Sequence, residues 1–391
     1  MKIQVASRLN GVGEYYFSRK LKEIEMLNRQ GNAVINLGIG SPDLPPHPEV
    51  IKTLQEEVSK ENVHAYQSYK GAEVLRNAFS QWYRQWFSVE LDPVSEILPL
   101  IGSKEGIMHL CMTYLNQGDK ALVPNPGYPT YRSAVQLAGG ICSEYLLEEE
   151  TNFPNLSSLE KMDTADVKLM FVNYPHMPTG EPANKVQLEK MVQFAEERNI
   201  LIVYDNPYSF ILNEHPFSLL SIDGAKKVAV ELNSLSKSHN MAGWRVGALC
   251  GAASRIEEVL RFKSNMDSGM FLPVQLAAAK ALSLGKEWFD SVNEHYKRRR
   301  LKAHELIHDI LNCTYVPNQA GMFLWARVPS GYETGFELSD EVLNSSKVFI
   351  TPGGIFGSAG EKFIRVSLCS PEEKFDQAIN RVRNIKGIET L

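Results

Sequence analysis

The sequence predicts an α/β protein. We expect a large unit with a mainly parallel sheet of the seven-stranded type, covered by helices, and a smaller α+β unit built from both ends of the chain. Between about residues 50 and 275, apolar runs alternate with amphipathic stretches, which favours a parallel sheet with helices on both faces. From about residue 286, a long charged helix is followed by short strands. We therefore divide the chain into an N-terminal arm (1–49), a large ligand-binding unit (50–285) and a C-terminal part (286–391).

Seven apolar runs are the predicted strands of the large unit. They are Ile97–Ile101, Lys120–Val123, Ile141–Leu147, Val167–Tyr174, Ile200–Tyr204, Val228–Leu232 and Arg245–Cys250. Helix-like stretches lie between several of them. In one stretch the apolar residues Leu188, Met191, Val192 and Ala195 recur at the spacing of one helical face. Such a helix covers the sheet with its apolar side.

The C-terminal part begins with a long charged helix, predicted from about Lys286 to Leu311, which carries the basic cluster Lys297–Arg300. A second helix is predicted from about Pro371. The strands predicted between the two helices are Met322–Val328, Val348–Thr351 and Phe363–Leu368. Strands of this kind, mixed with helices, indicate a small α+β unit.

Composition indicates a soluble, cytoplasmic protein. The chain has 391 residues, of which 43% are apolar and 22% are charged, and its net charge of −5 gives no reason to expect nucleic acid or an anionic membrane as a partner. No apolar run approaches the roughly 18 residues that a membrane span needs, and the polar N-terminus does not resemble a signal peptide. The five cysteines are scattered without a CxxC pair, which favours a reducing compartment.

Polar groups follow four of the predicted strands. Ser103 and Lys104 follow the first run, residues 174–180 follow the fourth, Asp205 follows the fifth, and Ser234 and Lys237 follow the sixth. In open α/β sheets, ligands bind beyond the carboxyl ends of the strands. The sequence therefore predicts one site, at this edge of the sheet, to which several strands contribute.

The residue types at this edge suit a phosphorylated aldehyde cofactor. Lys237 can bond covalently to an aldehyde, and Asp205 can pair with a ring nitrogen. Tyr208 can donate to a ring hydroxyl, while Ser234 and Arg245 can hold a phosphate. Each of these residues alone has an ordinary structural explanation, such as a solvated lysine or a capping aspartate. Their joint order carries the prediction.

A second phosphate contact is predicted where a helix begins. The segment Gly102–Gly106 precedes a helical pattern that stops at Gly118. Free N–H groups at a helix start attract phosphate, and the helix dipole adds to that attraction. An ordinary capped helix is the structural alternative for this segment taken by itself.

This order of residues resembles the class I aminotransferases, the fold-type I enzymes that use pyridoxal 5′-phosphate, and is most similar to the branch that contains aspartate-type and LL-diaminopimelate aminotransferases. The similarity runs from about Leu37 to about Ser370. It implies an enzyme that moves an amino group from an amino acid to a 2-oxo acid, and a homodimer with shared active sites. The matching segments are Leu37–Asp43, Pro126–Tyr131 and Phe363–Leu368. Ser234, Lys237 and Arg245 also match in type and spacing, and Arg245 follows Lys237 by eight residues.

The resemblance also implies a role for each matched residue. Lys237, Asp205 and Tyr208 are the implied catalytic residues. Gly40 and Arg365 are expected to bind the substrate carboxylate, and Tyr66 to reach the cofactor phosphate of the other subunit. The implied cofactor-binding residues are Ser103, Lys104, Tyr128, Asp205, Tyr208, Ser234, Lys237, Arg245 and the partner-directed Tyr66.

One position departs from the family pattern. Where the family has Asn-Pro-Thr-Gly, this chain has Met177 before Pro-Thr-Gly. A thioether cannot donate a hydrogen bond and is a weak acceptor. In the family, that asparagine contacts the ring hydroxyl of the cofactor and the substrate. Either Tyr208, His176 or Asn173 makes this contact here, or the pKa of the imine between lysine and cofactor is altered and the substrate is held less tightly. We assign no catalytic role to Met177.

Two other activities are compatible with parts of the sequence. The same scaffold and cofactor would suit a carbon–sulfur lyase or a related elimination enzyme. His304, Glu305 and His308 also form an HExxH pattern, which would suggest a zinc hydrolase. The basic cluster on the same predicted helix makes a dication site unfavourable there, so we predict no metal. The residues expected to line the substrate pocket are Tyr15, Tyr16, Ile39, Tyr69, Met270, Phe271 and Phe356.

Overall fold

The computed structural model describes residues 3–386. Its strands are β1 (Ile35–Asn36), β2 (Ile97–Leu100), β3 (Lys120–Asn125), β4 (Ile141–Leu146), β5 (Val167–Val172), β6 (Leu201–Asn206), β7 (Ala229–Ser234), β8 (Gly247–Gly251), β9 (Phe323–Arg327), β10 (Val348–Phe349), β11 (Thr351–Pro352) and β12 (Phe363–Ser367). Its α-helices are α1 (Tyr16–Arg29), α2 (Pro48–Val58), α3 (Glu73–Phe87), α4 (Ser103–Tyr114), α5 (Pro129–Leu137), α6 (Leu156–Glu160), α7 (Lys185–Arg198), α8 (Ala225–Val228), α9 (Leu235–Ser238), α10 (Ala253–Lys263), α11 (Leu272–Leu282), α12 (Lys286–His304), α13 (Gly335–Ser346) and α14 (Glu372–Lys386). Within these residues, no helix combines the length and the apolar character needed to cross a membrane.

The main sheet has seven strands in the order β2-β8-β7-β6-β5-β3-β4. All neighbours run parallel except β8, which is antiparallel to both β2 and β7. The predicted seven-stranded, mainly parallel sheet is therefore confirmed. The last predicted strand begins two residues later than expected, at Gly247, because Arg245 has a φ of 58°, which a strand cannot accommodate.

Helices cover both faces of this sheet, because its central strands are apolar on both sides. On one face, Leu169 and Val203 pack with residues of α4 such as Ile107. On the other face, Met170 and Ile202 pack against α7. The predicted apolar stripe of α7 is confirmed: Leu188, Met191, Val192 and Ala195 are all buried in this second layer.

The smaller α+β part also agrees with the sequence. It contains an antiparallel sheet in the order β11-β12-β9, and β1 from the N-terminal region pairs in parallel with β10. The predicted long helix is present as α12, but it continues as a π-helical turn, Glu305–Ile310, that the sequence did not indicate. Because β1 joins β10, both ends of the chain build this part.

Candidate active site

A cavity of about 330 Å³ lies at the carboxyl ends of the central strands. Of the residues predicted for the site, ten line it: Gly40, Ser103, Lys104, Tyr128, Asp205, Tyr208, Ser234, Lys237, Arg245 and Arg365. Tyr66 does not line it; its side chain is 91% exposed at the surface of the chain. The polar groups that follow separate strands thus converge on one space, as expected for an open α/β sheet.

Lys237 lies in α9, the short helix that follows β7 directly. Its amine nitrogen Nζ donates a hydrogen bond of 2.5 Å to the carbonyl oxygen of Gly40. Burial lowers the pKa of this amine, and the cations Arg365 and Arg245 lower it further. A lowered pKa increases the fraction of neutral amine, which is the form that attacks an aldehyde.

Asp205 lies near the end of β6 with both carboxylate oxygens buried. Oδ2 accepts a hydrogen bond of 2.8 Å from the hydroxyl of Tyr131, whereas Oδ1 has no hydrogen-bond partner among the residues that the structure describes. Burial raises the pKa of Asp205 to about 6, and the Tyr131 bond opposes that rise. Since an unpaired buried carboxylate oxygen is costly, Oδ1 is suited to a ligand N–H group that reaches it through the cavity.

The raised pKa of Asp205 predicts how the stability of the cofactor-free protein depends on pH. The folded state holds this proton more tightly than the unfolded chain, whose aspartates titrate near pH ~3.9. The contribution of Asp205 to stability is therefore complete below about pH 4, and it is lost as the pH rises through about 6. We expect Asp205→Asn to stabilise the cofactor-free protein by up to about 3 kcal/mol at pH 8, because a shift of one pKa unit corresponds to about 1.4 kcal/mol.

Chemical denaturation at pH 4, 6 and 8 measures this effect, with the exposed Asp223→Asn as a control. The advantage of Asp205→Asn over the wild type should shrink toward pH 4, while the control should follow the wild type throughout. A difference of equal size at all three values would show that burial does not perturb this carboxyl.

Cations and free backbone groups converge at the start of α4. Gly102 precedes the helix with a φ of 80°, and a Cβ atom there would lie 2.2 Å from Nη2 of Arg245. The guanidinium of Arg245 donates to the carbonyl oxygen of Ala242 at 3.0 Å. Burial lowers the pKa of the neighbouring Lys104 amine, and Arg245 lowers it further. This corner is suited to a phosphate, which accepts from helix N–H groups and neutralises clustered cations.

Arg365 extends from β12 and is only 3% exposed. Among residues 3–385, no carboxylate lies within ion-pair distance of its guanidinium. Nη2 donates to the carbonyl oxygen of Gly38 at 2.9 Å, and the guanidinium lies 3.8 Å from the centre of the Phe323 ring. Within the described part of the chain, Nε has no hydrogen-bond partner. Burial lowers the pKa of Arg365 to about 10. A buried guanidinium without a counter-ion is prepared for a carboxylate that a ligand brings.

Met177 contacts this arginine, with its sulfur 3.3 Å from Nη1 of Arg365. Of the groups predicted to make the missing contact instead, His176 does not line the cavity, and burial lowers its pKa to about 3. Asn173 lines the cavity, but its amide donates to the carbonyl oxygen of Asp205 at 2.6 Å and its oxygen accepts from the N–H group of Met177 at 2.8 Å. Tyr208 is the predicted donor that remains at the cavity wall.

A family model described as aminotransferase class I and II matches residues 32–382. The chain belongs to this family. Enzymes of the family use pyridoxal phosphate, and the cavity fits that group: Oδ1 of Asp205 can accept from its ring nitrogen, the start of α4 can receive its phosphate, and Lys237 lines the same cavity.

Relatives of this aminotransferase cover nearly the whole chain. An LL-diaminopimelate aminotransferase of Halothermothrix orenii is 39% identical over 97% of this chain and 98% of its own. The apo structure of BacF from Bacillus subtilis is 33% identical, with a TM-score of 0.94 over 99% of each chain. An aromatic aminotransferase structure from Pyrococcus horikoshii is 28% identical, with a TM-score of 0.85 over 90% of this chain and 95% of its own.

Two features of the aminotransferase site were missed from the sequence. Tyr131 positions Asp205, and its place three residues after Tyr128, on the first turn of α5, was a usable signal. Arg299 is buried and donates to both carboxylate oxygens of Asp43, at 2.7 and 2.8 Å. This pair holds the segment that carries Gly40. No local sign of this ion pair was visible in the sequence, because Arg299 is one of several basic residues in a cluster on a charged helix and nothing distinguishes it from its neighbours.

The structure gives no support to the zinc-hydrolase alternative. His304 and His308 lie side by side with Asp309, an arrangement that could hold a metal, but none of the three lines the cavity. Glu305, the residue that would act as the base, forms an ion pair of 2.9 Å with Arg383. Of the expected pocket residues, Tyr15, Ile39 and Phe356 line the cavity, whereas Tyr16, Tyr69, Met270 and Phe271 lie outside it in a single chain.

Proposed function

We propose that this aminotransferase works through Lys237, Asp205 and Tyr208, and binds its amino-acid and 2-oxo-acid substrates through Arg365 and Gly40. One observation carries the assignment. Four basic side chains line the cavity, Lys104, Lys237, Arg245 and Arg365, and among the described residues Asp205 is the one acid that faces them. Among residues 3–385, none of the four is paired with a carboxylate. Such an excess of positive charge requires anionic ligands, namely a phosphate at one end and a carboxylate at the other.

Pyridoxal phosphate, when bound, supplies the aldehyde and a ring that accepts electrons. Asp205 would accept a hydrogen bond from the ring nitrogen and keep it protonated. Ser103, Lys104, Ser234 and Arg245 would hold the phosphate, and Tyr128 would face the ring. Tyr208 would donate to the ring hydroxyl.

Lys237 is proposed to move the proton. Arg365 would hold the substrate α-carboxylate, with the backbone at Gly40 on the same side. With the substrate held there, the neutral Nζ of Lys237 would take the proton from the substrate α-carbon as a general base. It would then return the proton, as a general acid, to the carbon that the cofactor aldehyde supplies. Gly40 cannot carry a side chain, because a Cβ atom would lie 2.3 Å from the ring of Phe323.

A transferase and a lyase differ in what one amino acid produces. With an amino acid alone, we expect stoichiometric conversion of the bound cofactor to its amine form and release of one equivalent of 2-oxo acid, without ammonia. Absorption of the cofactor and an enzymatic ammonia assay measure the two outcomes. Sustained ammonia release without a second 2-oxo acid would favour the elimination enzyme.

We also propose a cytoplasmic homodimer. Four of the five cysteines are buried, which is consistent with a reducing compartment. Tyr66 is exposed, as are the apolar groups Tyr69, Met266 and Phe271, and the two segments lie close together, because a Cβ atom at Gly269 would lie 2.7 Å from the carbonyl oxygen of Gln67. An apolar surface of this kind is typical of a protein interface. Tyr66 would then complete the phosphate site of the partner.

Mixing two inactive variants tests the shared site. Tyr66→Ala and Lys237→Ala subunits, unfolded and reassembled together, should regain about a quarter of the wild-type sites, because half of the random dimers are hybrids with one intact site. Lys237→Ala mixed with Arg245→Ala is the matched control, since both changes affect the site of their own chain. Recovery in the control, or none in the first mixture, would contradict a site that Tyr66 completes in trans.

A further inference from the structure

The charged groups at the cavity wall are all engaged by the proposed function. In that function Lys104 and Arg245 would hold the phosphate, Asp205 and Lys237 would serve the ring and its aldehyde, and Arg365 would hold the α-carboxylate; all five line the cavity. Asp43, an acid in the same segment as Gly40, is held by both arms of Arg299. Within the described part of the chain, no further carboxylate lines the cavity. A second charge on the substrate therefore finds no counter-ion in this subunit.

The wall around Arg365 is aromatic. Its guanidinium lies 3.8 Å from the ring centre of Phe323, 4.7 Å from that of Phe356 and 5.4 Å from that of Phe17. Ile39 lines the same cavity, and so does Tyr15. Phe17 and Tyr15 come from the start of α1, so the N-terminal segment closes the cavity with rings. A side chain attached to the bound α-carbon would lie against this apolar surface.

In the dimer proposed above, the partner subunit would not supply the missing carboxylate either. The segment around Tyr66, residues 64–70, reads His-Ala-Tyr-Gln-Ser-Tyr-Lys. It contains no carboxylate, and Lys70 is its charged residue. If this segment reaches the other site, it adds aromatic rings and a cation, and it offers nothing to a substrate ammonium group.

We propose that the amino-acid substrate carries an apolar or aromatic side chain, and that the site rejects side chains with a second ammonium group. The inference rests on the proposed aminotransferase function. It assigns this chain a different substrate from the diaminopimelate that the names of its sequence relatives state. Burying an unpaired ammonium is far more costly than burying a methylene chain of the same length, so discrimination should be on the order of 100-fold or more.

The test compares amino acids matched in shape. Norleucine and lysine share a straight four-carbon side chain, and lysine adds only the ammonium group. The rate at which each converts the bound cofactor of the holoenzyme to its amine form needs no second substrate. We expect phenylalanine and norleucine to react, with lysine and LL-diaminopimelate slower by about two orders of magnitude. Equal or faster conversion by LL-diaminopimelate would overturn the inference while leaving the aminotransferase assignment intact. No conversion by any amino acid would contradict the aminotransferase assignment itself.

A pair of neighbouring variants locates the selectivity. Phe17→Ala removes a ring from the cavity wall, whereas Tyr16→Ala removes a ring that lies next to it in sequence and outside the cavity. The preference for phenylalanine over alanine as substrate should fall about tenfold or more in Phe17→Ala and persist in Tyr16→Ala. An unchanged preference in Phe17→Ala, or an equal fall in both variants, would show that the ring of Phe17 does not form the side-chain pocket.

Discussion

Lys237→Ala will lower the rate of transamination by about 10³-fold or more, and the purified variant will lack the visible absorption of a covalently held cofactor. The expected size follows from general acid–base catalysis, which contributes about 10²–10⁴-fold, and from the lost covalent attachment. The amine lies in the cavity 2.5 Å from the carbonyl oxygen of Gly40, and burial lowers its pKa, so it is placed and tuned for both roles. Single-turnover kinetics and absorption spectra measure both effects.

Lys190→Ala is the matched control, because Lys190 is an exposed lysine on α7, remote from the cavity. It should behave as the wild type in both measurements. Partial rescue of Lys237→Ala by added small primary amines would strengthen the assignment. Wild-type turnover in Lys237→Ala would remove Lys237 from the mechanism.

Arg365→Met will raise the KM for amino acids by about 100-fold or more without lowering the stability of the cofactor-free protein. Truncating one partner of a buried charge pair costs about 2–5 kcal/mol, which sets the loss of substrate binding. Stability should not suffer, because Arg365 is buried and, among the described residues, no carboxylate pairs with its guanidinium and no acceptor reaches its Nε. A methionine of similar length would pack against Phe323 and Met177 without that desolvation cost. Steady-state kinetics and thermal unfolding of the cofactor-free protein measure the two effects.

Arg327→Met is the matched control for this substitution. Arg327 lies on the neighbouring strand β9, where it pairs with Glu149 at the surface and stacks on the ring of Phe363. Its replacement should leave KM unchanged. A normal KM in Arg365→Met, or a marked loss of stability in that variant, would mean that Arg365 supports the fold rather than the substrate.

The sequence was sufficient for the parts of the site that depend on strand order. Asp205 and Lys237 each follow a buried apolar run, and parallel strands bring their carboxyl ends to one edge. The sequence was insufficient where a contact joins distant segments. The bond from Tyr131 to Asp205, the approach of Met177 to Arg365 and the buried Arg299 depend on tertiary packing. Tyr131 had a local signal in its spacing from Tyr128, whereas nothing in the local sequence marks the other two contacts.

Two element boundaries were also not predictable from the local sequence. Arg245 was expected to begin a strand because the residues after it are apolar, but its positive φ turns the guanidinium toward Gly102 instead. The π-helical turn after α12 follows an unbroken helical pattern and has no signal in the residue types. In both places, local preference gives way to what the neighbouring segments require.

Reductive trapping tests the central claim most directly. Borohydride treatment of the purified holoenzyme fixes the cofactor to the side chain that carries it, and peptide mass spectrometry then identifies that residue. We predict a single modification on Lys237. A modification on another lysine, or none in protein that still transaminates, would contradict the account.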